Sequence, residues 1–176
     1  MSRLTKVIFF LLVFLLWNVS VVSAQFLEAG VKKLEKPTDA HDFTLKVLGS
    51  GEISLKELKG KVILLNFFSV ACRVCQHEVP SLDKLATSIR EKDLVILLVA
   101  INEKEKELIE FKDKYGITLP ILIDEKGKVA KAYGVRGYHK TFFINREGKI
   151  VAYTFAEKDW ASPAMRKLID YLLGQK

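Results

Sequence analysis

Apolar positions recur along this chain in two alternating rhythms. Val62 to Phe68 is a near-continuous apolar run, the pattern of a strand buried on both faces of a sheet. From Cys72 the spacing changes to three and four residues. Cys75, Val79, Leu82, Leu85, Ala86 and Ile89 then share one face of an amphipathic helix, with Pro80 inside it as an expected kink. Leu94 to Ile101 repeats the strand pattern. Glu103 to Tyr115 repeats the helical one through Leu108, Phe111 and Tyr115, and Gly116 ends it. Leu119 to Ile123 is a third strand, Asp124 to Lys128 a turn, and Val129 to Tyr133 a short helix stopped by Gly134. Thr141–Ile144 and Ile150–Phe155 are two strands joined by a hairpin turn over Asn145 to Lys149. Ser162 caps a last helix and Pro163 opens it. Ala164, Met165, Leu168, Ile169, Leu172 and Leu173 line one side. Upstream, Phe43–Leu45 and Ile53–Leu55 are short strands around a Gly49-Ser50-Gly51 turn, and Lys56 to Gly60 is one helical turn.

Strands alternating with helices imply parallel β-α-β units, and the closing hairpin adds antiparallel strands. The expected class is α/β, with a central mixed sheet flanked by helices on both faces. There is no internal repeat, no Gly-rich phosphate loop and no low-complexity segment.

The first 24 residues stand apart. Arg3 and Lys6 make a basic start, Val7 to Trp17 is an unbroken apolar run of 11 residues, and Val22-Ser23-Ala24 offers small residues for cleavage. This is the layout of a secretory signal over 1–24. The run is short of the ~20 residues of a membrane span, and an uncleaved N-terminal anchor is the competing reading. No cysteine is near for lipid attachment. Residues 25–36 read as a polar linker or frayed helix, and 37–176 as one domain. The net charge of +7 includes Arg3 and Lys6, so the mature chain is near +5. Its cations are interspersed with acids, as in Glu103-Lys104-Glu105-Lys106-Glu107, which reads as a solvated helix face and not as a nucleic-acid surface.

Cys72 and Cys75 are the only cysteines. Outside the cytosol disulfides persist, yet a bridge across so short a loop removes little entropy from the unfolded chain. A pair with nothing else to bridge is better explained by chemistry than by stapling. Cys72 stands where the strand breaks and the helix starts. There the unpaired N–H groups and the helix dipole favour a thiolate, and Arg73 adds a neighbouring positive charge. Cys72 is therefore expected to attack with a lowered pKa. Cys75, one turn inside, is expected to resolve the mixed disulfide.

Val62 to Ala100, with Cys72-x-x-Cys75 and Glu78-Val79-Pro80, resembles the thioredoxin-fold, TlpA/ResA-like thiol–disulfide oxidoreductases of the bacterial cell envelope. The resemblance continues through Tyr115-Gly116-Ile117-Thr118-Leu119-Pro120, Asp124 to Lys128 and Tyr133 to Gly137. It ends in Thr141-Phe142-Phe143-Ile144-Asn145-Arg146-Glu147-Gly148-Lys149-Ile150-Val151. Three departures stand out. The family's Trp-Cys-x-Pro-Cys has Ala71 and Val74 in place of the Trp and Pro. Its opening Ala-Pro-Asp-Phe reads Ala40-His41-Asp42-Phe43. Its Gly-x-Pro-x-Thr-Phe, with a cis-proline, reads Gly137-Tyr138-His139-Lys140-Thr141-Phe142.

The resemblance implies an exported enzyme, in the periplasm or at the outer face of the cytoplasmic membrane. It would exchange disulfides with cysteine pairs of envelope proteins, more as reductant than oxidant, although Arg73 argues the other way. An electron-transfer partner is required, and no dissociable cofactor beyond the Cys72–Cys75 disulfide. The resemblance also places Glu78 near the dithiol as a proton shuttle, against the plain alternative of a surface Glu pairing with a Lys, and Tyr138 and His139 on the loop facing the cysteines. A cis bond before a non-proline residue costs ~2.5–4 kcal/mol, so a trans or strained Tyr138–His139 is expected. The imidazole of His139 in the proline's place opens a second reading, a copper or zinc site from Cys72, Cys75 and His139. A catalytically silent binding module is a third. Peroxiredoxin chemistry has Ser69 three before Cys72 but Leu65 where that family has proline. His77 and His41 are expected to be exposed residues without a role, and Phe67, Phe68 and Trp160 to be packing.

Overall fold

A computed structural model describes residues 24–89, 93–137, 139–155 and 157–175. It contains strands β1 (Lys32–Asp39), β2 (Thr44–Val47), β3 (Glu52–Ser54), β4 (Val62–Phe68), β5 (Leu94–Ile101), β6 (Ile121–Asp124), β7 (Lys140–Ile144) and β8 (Lys149–Thr154). The helices are α1 (Arg73–Ser88), α2 (Glu105–Tyr115), α3 (Lys128–Ala132) and α4 (Pro163–Gly174), with a 3-10 turn at Leu55–Leu58. The eight strands form one sheet in the order β1-β8-β7-β4-β5-β6-β2-β3. β4 pairs in parallel with β5, and β5 with β6; the remaining pairs are antiparallel.

All seven residues of β4 are buried, as a strand with covered faces must be. Its even positions Val62, Leu64 and Phe68 pack with α1 (Val79, Leu82, Leu85), α2 (Leu108, Phe111) and α4 (Met165, Leu168, Ile169, Leu172). Its odd positions Ile63, Leu65 and Phe67 meet Phe43, Leu55, Ala130, Tyr133 and Phe142 on the other face. Asn66 is the one polar residue in β4, fully buried, and its Nδ2 donates to Thr141 Oγ1 of β7 at 2.8 Å. α1 runs through Pro80 without ending. Gly116 closes α2 with φ 63°, a left-handed cap that glycine adopts without a Cβ penalty. Ser162 Oγ accepts from Met165 N at 3.3 Å at the start of α4.

The reading of 25–36 as a linker is corrected by the fold. Residues 24–28 are helical, Phe26, Ala29 and Val31 are buried, and Phe26 meets the Tyr171 ring of α4 edge-on at 6.2 Å. β1 then pairs with β8, Lys32 opposite Tyr153 and Asp39 opposite Lys149. This strand was invisible to periodicity because it lies on the sheet edge and is almost wholly exposed. Its pairing comes from backbone bonds, and an edge tolerates Pro37. The export signal expected over 1–24 lies, except for Ala24, outside the described residues. Among the described residues, no helix is long and apolar enough to cross a membrane.

Candidate active site

The parallel pairing of β4 and β5, with Phe68 opposite Ala100, brings the segments after both strands to the same end of the central strands. After β4 the chain makes a tight loop, Ser69 to Cys72. Glu103, just past β5, holds that loop. Its Oε1 accepts from Ser69 Oγ at 2.5 Å and from Val70 N at 2.9 Å. Ala71 N donates to Ser69 Oγ at 3.2 Å, and Gln76 Nε2 to Val70 O at 2.9 Å. A carboxylate accepting two donors is a strong clamp. Sequence reasoning missed Glu103, which opens a run of alternating charge and carries no local sign of its partner 34 residues back.

Cys72 is the N-cap of α1, and its Sγ accepts from Cys75 N at 3.3 Å. The two cysteines are joined as a disulfide with Cα atoms 5.2 Å apart. Cys75 is fully buried whereas Cys72 is only partly covered. The site is thus asymmetric. One sulfur is open to an incoming molecule at a helix N-terminus, and the other is shielded behind it. Arg73 is exposed in the first turn of α1, and His77 is exposed one turn on. His41 is exposed too, with its ring edge-on to Tyr133 and its carbonyl accepting from Tyr133 Oη at 2.7 Å.

The antiparallel pairing of β4 with β7 sets Lys140 opposite Phe67. The residue before Lys140 therefore reaches the end of β4. His139 N donates to Phe67 O at 2.9 Å, and Nδ1 lies 3.7 Å from Cys72 Sγ. The backbone of His139 is left-handed, φ 65°, a conformation shared among non-glycine described residues only with Asn102. Histidine is among the residues that tolerate it better than most. Tyr138 and the Tyr138–His139 peptide fall outside the described residues. One donor atom from each of Cys72, Cys75 and His139 lies within 4.8 Å of the others.

Glu78 is buried, which removes the reading of a surface Glu paired with a Lys. Its Oε1 accepts from Trp160 Nε1 at 3.1 Å, and its Oε2 is buried without a partner. Burial pushes its carboxyl up to about 7, against the opposing effect of the Trp160 bond. Trp160 is fully buried and stacks on Phe143, as packing requires, but it also positions this carboxyl. Asp83, on the same helix, accepts from Thr118 N and Leu119 N at 2.7 and 2.8 Å and so ties α1 to the approach to β6. Neither contact has a sequence signal, because the partners are 82 and 35 or more residues apart. A groove of about 860 Å³ borders Glu103, Asn102 and the Gly49–Gly51 turn and includes neither cysteine.

Residues 37–153 match the AhpC/TSA family. The chain is 39% identical over 112 residues to the thiol-disulfide oxidoreductase ResA of Halalkalibacterium halodurans. That match covers 64% of this chain and 64% of the relative, just under two thirds of its length. It is 36% identical over 128 residues to the thioredoxin-like protein YneN of Bacillus subtilis, covering 70% and 71%. In three dimensions it superposes on a candidate thiol:disulfide interchange protein DsbE from Chlorobium tepidum with a TM-score of 0.73 and 25% identity, covering 80% of this chain and 99% of the other. A candidate protein disulfide isomerase from Bacteroides thetaiotaomicron gives a TM-score of 0.70 and 26% identity, covering 82% and 94%. The sheet order, the cysteine pair at the start of α1 and these matches agree: the chain belongs to the AhpC/TSA family, among its thioredoxin-fold, ResA-like thiol–disulfide oxidoreductases.

Proposed function

We propose that the chain passes two electrons from the Cys72/Cys75 dithiol to disulfides of other proteins. The observation that carries this is the unequal exposure of the two sulfurs, Cys72 at the helix start and Cys75 buried behind it. The Cys72 thiolate attacks one sulfur of a substrate disulfide. A mixed disulfide forms, and the other substrate sulfur leaves as a thiolate that takes up a proton. Cys75 then gives up its proton and attacks Cys72 Sγ. The second substrate sulfur is released as a thiol, and the Cys72–Cys75 disulfide returns. Glu78, three residues along α1 from Cys75 and titrating at about 7, is the group that accepts the Cys75 proton. His139 faces the incoming substrate, Arg73 favours the thiolate, and the redox group is the cysteine pair itself with no dissociable cofactor.

The substrates are cysteine pairs of envelope proteins, of which cytochrome c apoproteins are an example in related families. The working direction is reduction, with a separate electron donor restoring the dithiol. The basic, apolar and small-residue order of residues 1–24 supports export to the periplasm or the outer face of the cytoplasmic membrane, with membrane anchoring if the segment is retained. Replacing Cys75 by Ser tests the exchange directly. The variant is expected to accumulate a mixed disulfide with a disulfide-bearing protein such as insulin, and Cys72→Ser to accumulate none. Trapping by Cys72→Ser and not by Cys75→Ser would reverse the roles, and absence of trapping with wild type inactive on insulin would sink the proposal. An alkaline phosphatase fusion to residues 1–30 tests export, with an inactive fusion counting against it.

A further inference from the structure

We propose that the reduced dithiol and His139 form a three-coordinate Cu(I) site. This goes beyond disulfide exchange, although it uses the same two reduced cysteines and the His139 that faces the substrate in that reading. The donors are two thiolates and an imidazole, the soft set that suits Cu(I). They come from two places that the fold holds together. Cys72 is fixed by the Glu103 clamp on its loop, and His139 by its N–H bond to Phe67 O at 2.9 Å. Bond lengths of ~2.3 Å to sulfur and ~2.0 Å to nitrogen put trigonal donors ~3.7–4.0 Å apart. The Cys72 Sγ to His139 Nδ1 separation is 3.7 Å.

Reduction frees the two sulfurs to separate to that spacing, and the Cα atoms at 5.2 Å stand close enough for both to reach one ion. Among the described residues no fourth His, Cys, Asp or Glu joins the cluster. A structural zinc site takes four protein ligands, and zinc on three protein ligands keeps water as its fourth, so a bare three-donor set with two thiolates suits the softer Cu(I). Cys72 and His139 are partly exposed, which leaves a route for the ion to enter. A proline at position 139 would offer no side-chain donor, so this site depends on the residue by which the chain departs from its family.

The binding step moves protons and no electrons. Two thiols and Cu(I) give a dithiolate–imidazole complex and release up to two protons, and copper stays Cu(I). The disulfide form has no thiolate to offer and must first take two electrons from a thiol reductant. Copper and substrate disulfides then compete for the same sulfurs.

The test is anaerobic competition. Protein reduced with dithiothreitol and desalted is titrated into the coloured Cu(I)–bicinchoninate complex. The expected result is withdrawal of one Cu(I) per chain by reduced wild type and none by oxidised protein or Cys75→Ser. His139→Asn tolerates the left-handed backbone while removing the imidazole, and His139→Gly does so without a side chain. Both are expected to bind at least ~10-fold more weakly with unchanged circular dichroism and thiol count, a loss of at least ~1.4 kcal/mol. Failure of reduced wild type to withdraw copper overturns the site, and so does equal affinity in both His139 variants. Insulin reduction by the same copper-free sample reads the exchange reaction separately, so loss of one proposal leaves the other standing.

Discussion

Trp160 Nε1 donates to Glu78 Oε1 at 3.1 Å, joining the loop before the last helix to the buried face of the helix that bears the dithiol. The bond satisfies one carboxyl oxygen and leaves the other without a partner. Glu78 is thereby held in place while remaining able to bind a proton near neutrality.

The first expectation follows from the sign of that shift. The Glu78 carboxyl titrates at about 7 in the fold and at 4.5 ordinarily. Below the lower value both states are protonated and the group does not matter. As pH rises from 4.5 to 7 the unfolded chain ionises first, so stability falls, and it levels off above 7. The difference is on the order of 3 kcal/mol. Urea unfolding of wild type and Glu78→Gln at pH 4.5 and pH 8 should show the variant gaining about that much relative to wild type at the higher pH. The same variant should slow insulin reduction by roughly 100-fold. A pH-independent stability difference would refute the raised pKa.

Trp160→Phe deletes the donor and keeps most of the ring. Because the Trp160 bond lowers the Glu78 pKa, its loss raises that pKa further. The variant should lose ~1–3 kcal/mol for the unpaired acceptor, with the larger loss at pH 8 than at pH 5. Equal losses at both pH values would mean that the indole acts by packing alone.

Glu103→Ala should loosen the loop that carries Cys72. The clamp is a carboxylate accepting from Ser69 Oγ and Val70 N, and charged hydrogen bonds of this kind contribute ~1.5–3 kcal/mol each. Ser69→Ala alone should be milder, and the double variant should cost clearly less than the sum of the two. Additive losses in chemical unfolding would show that the two side chains do not act through each other.

His139 carries backbone strain that its substitutions should report. At φ 65° a residue with a Cβ is strained by ~1–2 kcal/mol relative to glycine. His139→Gly should therefore unfold at the same or higher urea concentration than wild type, and His139→Val at a lower one. The glycine variant should also react more slowly with iodoacetamide at Cys72 after reduction, because the imidazole 3.7 Å from Cys72 Sγ is gone. Faster alkylation would contradict an assisting imidazole.

Arg146 offers a control at the far end of the sheet from the dithiol. Its Nη1 donates to Gly60 O at 2.8 Å and Asp93 Oδ2 at 2.9 Å, and its Nη2 to Leu173 O at 3.0 Å. The ion pair is partly exposed and contributes little by itself, whereas the two carbonyl bonds tie three chain segments. Arg146→Ala should cost ~1–3 kcal/mol while leaving insulin reduction at wild-type rate below the melting range. A large loss of activity in folded protein would place Arg146 in a route to the active site that no contact suggests.

The order of strands and helices and the strand–CxxC–helix junction were legible in the sequence alone, because both are carried by neighbouring side chains. A period of two or of 3.6 places residues on a face whatever the rest of the chain does, and Gly116, Ser162 and Pro163 mark ends by local backbone chemistry. The sequence also marked position 139 as the place where the chain leaves its family's pattern. It could not reveal β1, whose exposed edge has no apolar period to read. Nor could it identify Glu103 as the clamp on the Cys72 loop, or Trp160 as the partner that buries and orients Glu78. Those relationships, and the approach of His139 to Cys72, depend on which strands lie side by side and in which register. Pairing Phe67 with Lys140 and Phe68 with Ala100 brings three distant segments to one end of the central strands. That register is chosen by the packing of both faces together, a property of the whole fold and of no single stretch of the chain.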